Sequence, residues 1–309
     1  METIFWGPSG WLFIHTLTFI YPENPNFTEK VKMREFINLL AMVLPCKYCR
    51  ASFTKYTNSL QVNEYLDSRD KLVEWLYKIH NKVNAKLRRQ GFCTTDNPCI
   101  ENVKKHYSVI VNNIKNILID KMDENNNDKL IVVEKVQNAV NYICNLGRDF
   151  LGSIIFNYQG YFTNCHTSDE KVKIITVYNA FFNSLLPVII ACLNKLCNKS
   201  IELDVKDCIR EYKIKKFNIR RILQQNEPYS KLIKWFYECD ELCKIKEQYK
   251  TQNEYETHFQ KHIVSSCNNP TSDNIKSCRK ITKKQIYTKS HLSKKHLSKK
   301  HLFKSHFTK

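Results

Sequence analysis

Apolar residues recur along most of this chain at three- and four-residue intervals, the spacing that lines one face of a helix. Trp11, Ile14, His15 and Thr18 fall on that period after Pro8, a residue suited to a helix's first turn, and predict a first helix ending near Tyr21-Pro22. A second is expected from about Thr28, where Val31, Phe36, Leu39, Leu40 and Val43 form a broad stripe that stops before Pro45. Cys46 opens a third. A fourth begins after Ser68, a good N-cap, with Leu72, Trp75, Leu76, Ile79, Val83 and Leu87 on its buried side, and should end near Gly91. A short fifth helix follows Asn97-Pro98. The fold class predicted is all-α, a four-helix bundle plus this fifth helix over residues 1–110.

The polar, Asn-rich run from Asp120 to Asp128 reads as linker, so residues 111–129 are assigned to a connection. From 130 to 278 the period is again helical, notably over 132–146, 172–196 and 209–225, and predicts a second, mostly helical domain without a recognisable motif. Six Gly and eight Pro in 309 residues disfavour sandwiches and Gly-rich α/β folds. No charged segment followed by an apolar core opens the chain. The longest apolar run, Leu185 to Leu193, is far below the ~20 residues of a membrane span, which predicts a soluble, cytosolic protein.

Charge changes the picture less than its total suggests. The net +19 includes eleven Lys or Arg and no acid between Arg279 and Lys309, leaving a mildly basic body of +8. That tail repeats His291, His296, His301 and His306 at a period of five, which does not keep one helix face. It reads as a solvated basic tail with weak contacts to acidic surfaces, with metal binding as the alternative.

The thirteen cysteines carry more. Cytosolic proteins rarely keep structural disulfides, so redox or metal chemistry is expected. Pro45-Cys46-Lys47-Tyr48-Cys49 puts two sulfurs on one face of a helix's first turn, where the dipole favours thiolate and the pair can open and close. The competing reading is half of a zinc site in a helical module that binds nucleic acid through its tail, which needs two further ligands. On the fourth helix His80, Asn81 and Asn84 form a polar cluster on an otherwise apolar helix, fit for a polar ligand lying along it. Trp11 and His15, one turn apart, offer a ring and a hydrogen-bonding surface to a planar group.

These three segments, in this order, resemble the Erv/ALR family of FAD-linked sulfhydryl oxidases. Gly7, Trp11 and His15 match its opening motif. Pro45 through Phe53 match its Pro-Cys-x-x-Cys-x-x-x-Phe, and Trp75 to Leu87 its cofactor helix. The resemblance implies bound FAD, usually a homodimer, thiol-containing protein substrates, and O2 as the acceptor that yields peroxide. It implies that Cys49 lies against the flavin and Cys46 exchanges with substrate. It also implies that Gly7, Trp11, His15, His80, Asn81, Asn84, Lys86 and Leu87 line the cofactor. Three positions depart from the family pattern: Pro8 stands where an Arg is usual, Leu87-Arg88-Arg89 replaces Leu-Gly-Lys, and Tyr77 stands where a structural cysteine often lies. A second, shuttle pair is expected, from Cys93/Cys99, Cys192/Cys197, Cys239/Cys243 or Cys267/Cys278. A catalytic domain followed by an unrecognised helical one looks most like the oxidases of large cytoplasmic DNA viruses, mimivirus type included, and implies a place in the viral factory or virion.

Overall fold

A computed structural model describes residues 1–92, 95–119, 129–163, 167–196, 228–238 and 249–263. Among them every regular element is helical: α1 (Thr3–Phe19), α2 (Phe27–Val43), α3 (Lys47–Ser59), a 3₁₀ turn (Val62–Tyr65), α4 (Arg69–Arg89), α5 (Ile100–Ile119), α6 (Lys129–Leu146), α7 (Arg148–Thr163), α8 (Ser168–Leu196), α9 (Pro228–Glu238) and α10 (Gln252–Gln260). The all-α expectation stands.

Local chemistry sets the boundaries of the helices that carry the site. Asn26 caps α2 by accepting from the Glu29 amide at 2.9 Å, while the Glu29 carboxylate accepts from the Asn26 amide at 2.8 Å, a reciprocal capping box. Ser68 caps α4, its Oγ accepting from the Lys71 amide. At the other end of α4, Gly91 adopts φ of 73° and the Phe92 amide donates to the Leu87 carbonyl at 2.9 Å, the left-handed stop that a glycine makes without steric cost.

Two helices differ from the reading of the sequence. α1 begins at Thr3, so Pro8 lies inside it rather than in its first turn. The proline has no N–H for the Ile4 carbonyl, a local cost that a helix packed on several sides can absorb. Such packing also explains the apolar residues spread around α1 rather than gathered in a stripe: it contacts α4, α5, α6 and α7. The fifth helix, expected to be short, runs to Ile119 through residues assigned to the linker, because Val103, Tyr107, Ile110, Ile114 and Leu118 continue one buried stripe.

Helices α6 to α8 add to the same apolar core. Phe36 of α2 stacks on Phe181 of α8, with ring centres 5.7 Å apart, and Phe150 of α7 packs on Trp6 and Phe13 of α1. Backbone approach is close at the α1–α7 crossing. A methyl group built on Gly147 would stand 2.7 Å from the Phe13 ring, and one on Gly10 3.0 Å from Phe150. Ser9 ties the crossing, donating to the Leu146 carbonyl at 3.0 Å and accepting from the Phe150 amide at 3.4 Å. The 29-residue α8 is long and apolar enough to cross a membrane by length and composition, although polar residues interrupt its apolar run. Eleven of its side chains, Tyr178, Phe181 and Phe182 among them, are buried in this core.

Candidate active site

Pro45 ends the extended step after α2, and Cys46 serves as the N-cap of α3. Its sulfur accepts from the Cys49 amide at 3.3 Å, and its carbonyl accepts from the Cys49 and Arg50 amides at 3.0 and 2.9 Å. Both residues are free thiols in this structure. Burial alone would raise the Cys46 pKa. The Cys49 thiol and amide hydrogen bonds, with the Met1 amine nearby, outweigh it and bring the pKa down to about 7. Cys49 moves the other way, well above the ordinary thiol value, because its S–H is committed to Cys46 and because it is buried; Lys86 and Arg50 pull against that shift. One proton is therefore shared unequally, and near neutrality the thiolate sits on Cys46.

The resemblance assigns the outer, exchanging role to Cys46, yet Cys46 is 1% exposed and Cys49 half-buried. The Met1 amino group donates to the Pro45 carbonyl at 3.3 Å, and burial lowers that amine to about 6.

Helix α4 joins the thiols to the aromatic cluster. Lys86 crosses to α3, donating to Ser52 Oγ at 2.7 Å. Six residues before it on the same helix, about 9 Å along the axis, stands His80. Trp11 of α1 stacks on His80, with ring centres 3.8 Å apart and planes 9° from parallel. His80 Nδ1 and His15 Nε2 are 3.1 Å apart, one donating to the other. Desolvation holds His80 down to about 3, and desolvation with the neighbouring His80 and His106 holds His15 well below the usual histidine range. Both rings are neutral at physiological pH. Gly7 lies one turn before Trp11 on α1, with open space where a Cβ would point.

The sequence-predicted residues thus divide. Trp11, His15 and His80 are in mutual contact; Cys46 and Cys49 are in contact; Lys86 reaches from α4 to Ser52 on the helix that carries Cys49. Asn84 donates to Asn97 Oδ1 at 3.1 Å, which pins the loop before α5. Asn81 and Leu87 are half-buried on the same helix. Tyr107 of α5 was missed: it is 3% exposed and stacks on His15 and on Phe19, with ring centres 5.0 and 4.9 Å away. Its signal was the apolar stripe of α5, which becomes visible once that helix is allowed its full length.

Of the candidate shuttle cysteines, Cys99 is exposed at the start of α5. Cys192 is buried in α8, where desolvation raises its pKa far above the ordinary thiol value, a poor setting for exchange. Cys93, Cys197, Cys239, Cys243, Cys267 and Cys278, with the basic tail, lie outside the described residues. Among the described residues no group of three or more His, Cys, Asp or Glu side chains is placed to hold a metal ion.

One buried polar atom bears on what this cleft accepts. His15 Nδ1 is sealed from water and has no hydrogen-bond partner, an arrangement that costs about 1–3 kcal/mol unless something meets it. The donors and aromatic faces of Trp11, His15 and His80 have the chemistry that a planar, nitrogen-rich ring would need, while in this structure Trp11 and His80 lie in direct contact.

Comparison with known proteins agrees with this geometry. The model of the Erv1/Alr family matches residues 8–108, which include both cysteines and the Trp11, His15, His80 and Tyr107 rings. The mitochondrial FAD-linked sulfhydryl oxidase ERV1 of Saccharomyces cerevisiae is 38% identical over 88 residues, 28% of this chain and 44% of the relative. A probable FAD-linked sulfhydryl oxidase of Acanthamoeba polyphaga mimivirus is 40% identical over 80 residues, 26% of this chain and 56% of the relative. The FAD-linked sulfhydryl oxidase of African swine fever virus is 30% identical over 87 residues, 28% of this chain and 70% of the relative. The chain spans about half the length of the first two. No solved structure matches it at a significant level. With the African swine fever virus relative 30% identical and covered over 70% of its length, the chain belongs to the Erv1/Alr family.

Proposed function

We propose that this protein is an FAD-linked sulfhydryl oxidase that converts pairs of thiols on protein substrates into disulfides. The observation that carries the reading is the Cys46–Cys49 pair at the head of α3, with its thiolate on Cys46 near neutrality, joined through Lys86 and α4 to the Trp11, His15 and His80 cluster.

With the pair oxidised, a substrate thiolate attacks the Cys46 sulfur, the Cys46–Cys49 bond breaks, and its electron pair goes to Cys49. A second substrate thiolate then attacks the mixed disulfide, forming the substrate disulfide and releasing Cys46 as thiolate. Two thiols thereby lose two electrons and two protons, which the enzyme must pass on. FAD supplies the two-electron acceptor for this, O2 being the terminal oxidant and peroxide the product. Trp11, His15 and His80 would grip the flavin, with Gly7, Asn81, Asn84, Lys86 and Leu87 around it. The two neutral imidazoles offer hydrogen bonds without adding charge, and the aromatic walls keep water out.

A homodimer, where it forms, would be built on a face other than those α1 and α2 present to α6–α8 of the same chain. The viral relatives support a large DNA virus origin and action on virion proteins in the cytoplasm of an infected cell. Purified protein should be yellow and should consume oxygen with dithiothreitol. Cys46→Ala and Cys49→Ala should each abolish turnover while leaving the flavin spectrum in place. A colourless preparation that takes up no added FAD would sink the reading.

A further inference from the structure

The contact between Lys86 and Ser52 has no part in the exchange just described, yet it fixes the only cation that α4 brings toward the thiols. Ser52 follows Cys49 by three residues and shares its helix face. Its hydroxyl donates to the Tyr48 carbonyl at 2.8 Å, which commits its proton and turns its lone pairs to the Lys86 ammonium at 2.7 Å. A lysine carries about 2 kcal/mol of rotamer entropy and would otherwise sample solvent. The charged and titratable groups that act on Cys49 include Cys46 at the N-cap of α3, Arg50 on α3, Lys86 on α4 and the Met1 amine. Arg50 is already tied to the Leu44 carbonyl at 2.7 Å, so Lys86 is the cation whose place depends on a partner that a mutation can remove.

We propose that Ser52 is a positioning residue for disulfide exchange: by holding the Lys86 ammonium beside Cys49 it stabilises the Cys49 thiolate that leaves when the Cys46–Cys49 bond opens. A leaving thiol departs faster the more stable its thiolate, so the clamp acts on the step in which substrate first enters. The inference rests on the reading of Cys46–Cys49 as the exchanging pair.

The test uses the reduced, full-length Cys46→Ser protein, whose remaining thiol at this site is Cys49. The rate of Cys49 alkylation by iodoacetamide is followed against pH by peptide mass spectrometry. Ser52→Ala should move the profile to higher pH and slow alkylation at pH 7.5 about fivefold, the value of one hydrogen bond. Ser52→Thr, which keeps the hydroxyl, should restore it. Lys86→Met should move the profile the same way, and Ser52→Ala added to Lys86→Met should change nothing more. A Ser52→Ala profile that superimposes on the parent's, or one that shifts equally with Lys86 absent, overturns the proposal. Because flavin content is read separately from the visible spectrum of the same samples, a colourless protein would defeat the oxidase reading without touching this one, and a null titration would defeat this one alone.

Discussion

Replacing both histidines of the cleft tests whether they are neutral and buried as a pair. In an unfolded chain a histidine titrates near 6.5; here His80 is held down to about 3 and His15 well below its usual range. Below pH 6.5 the unfolded state therefore binds protons that the folded state refuses, and stability falls as pH falls, a loss that for His80 runs until its folded pKa near 3 is reached. Between pH 7.5 and 5.0 His80 contributes about 2 kcal/mol to this loss, and His15 adds to it in the same direction. The double variant His15→Phe/His80→Phe keeps ring volume and removes both sites. Urea unfolding of flavin-stripped protein, followed by circular dichroism at the two pH values, should show the parent losing at least about 2 kcal/mol more than the double variant on acidification. Stripping the flavin keeps ligand binding out of the comparison. The single variant His15→Phe trades one orphan for another, removing the unpartnered His15 Nδ1 and leaving the half-buried His80 Nδ1 without its partner, so at neutral pH it should be less stable than the double variant, which leaves neither. Equal acid losses in parent and double variant would refute the argument.

Other consequences are simpler to read. Gly147→Leu should lower the melting temperature by several degrees, and Gly10→Ala by less, since the first drives side-chain atoms into the Phe13 ring while the second meets only the edge of Phe150; equal effects would show that α1 and α7 separate freely. Phe36→Ala should cost about 3–5 kcal/mol in chemical denaturation, because a buried ring stacked on Phe181 is lost at the α2–α8 contact, and a cost under 1 kcal/mol would mean that α8 does not pack there. In the reduced protein, Cys46 alkylation by a small haloacetamide should rise with pH through a midpoint near 7 and level off above it; a midpoint at the ordinary thiol value would remove the hydrogen bonds from Cys49 as the cause.

What the sequence determined by itself was local. A period of 3.6, a capping residue before each of α2 and α4 and a glycine after α4 depend only on neighbours within a turn or two, and so do the two sulfurs at the head of α3 and the alignment of His80 with Asn84. The spacing of Gly7, Trp11 and His15 belongs with them, which is why the family resemblance could be read from three short motifs. The tertiary structure alone decided which faces meet. Tyr107 joined the site because α5 continues long enough to lay that ring against His15, and Asn84 was drawn to Asn97 because a loop returns beside it. Cys46, outermost by motif, is buried, with the Met1 amine held at the neighbouring Pro45 carbonyl, and α6 to α8 bury their apolar faces on α1 and α2. A helix period names the residues a helix must hide; what hides them depends on volumes and crossings between segments distant in sequence, which no local pattern records.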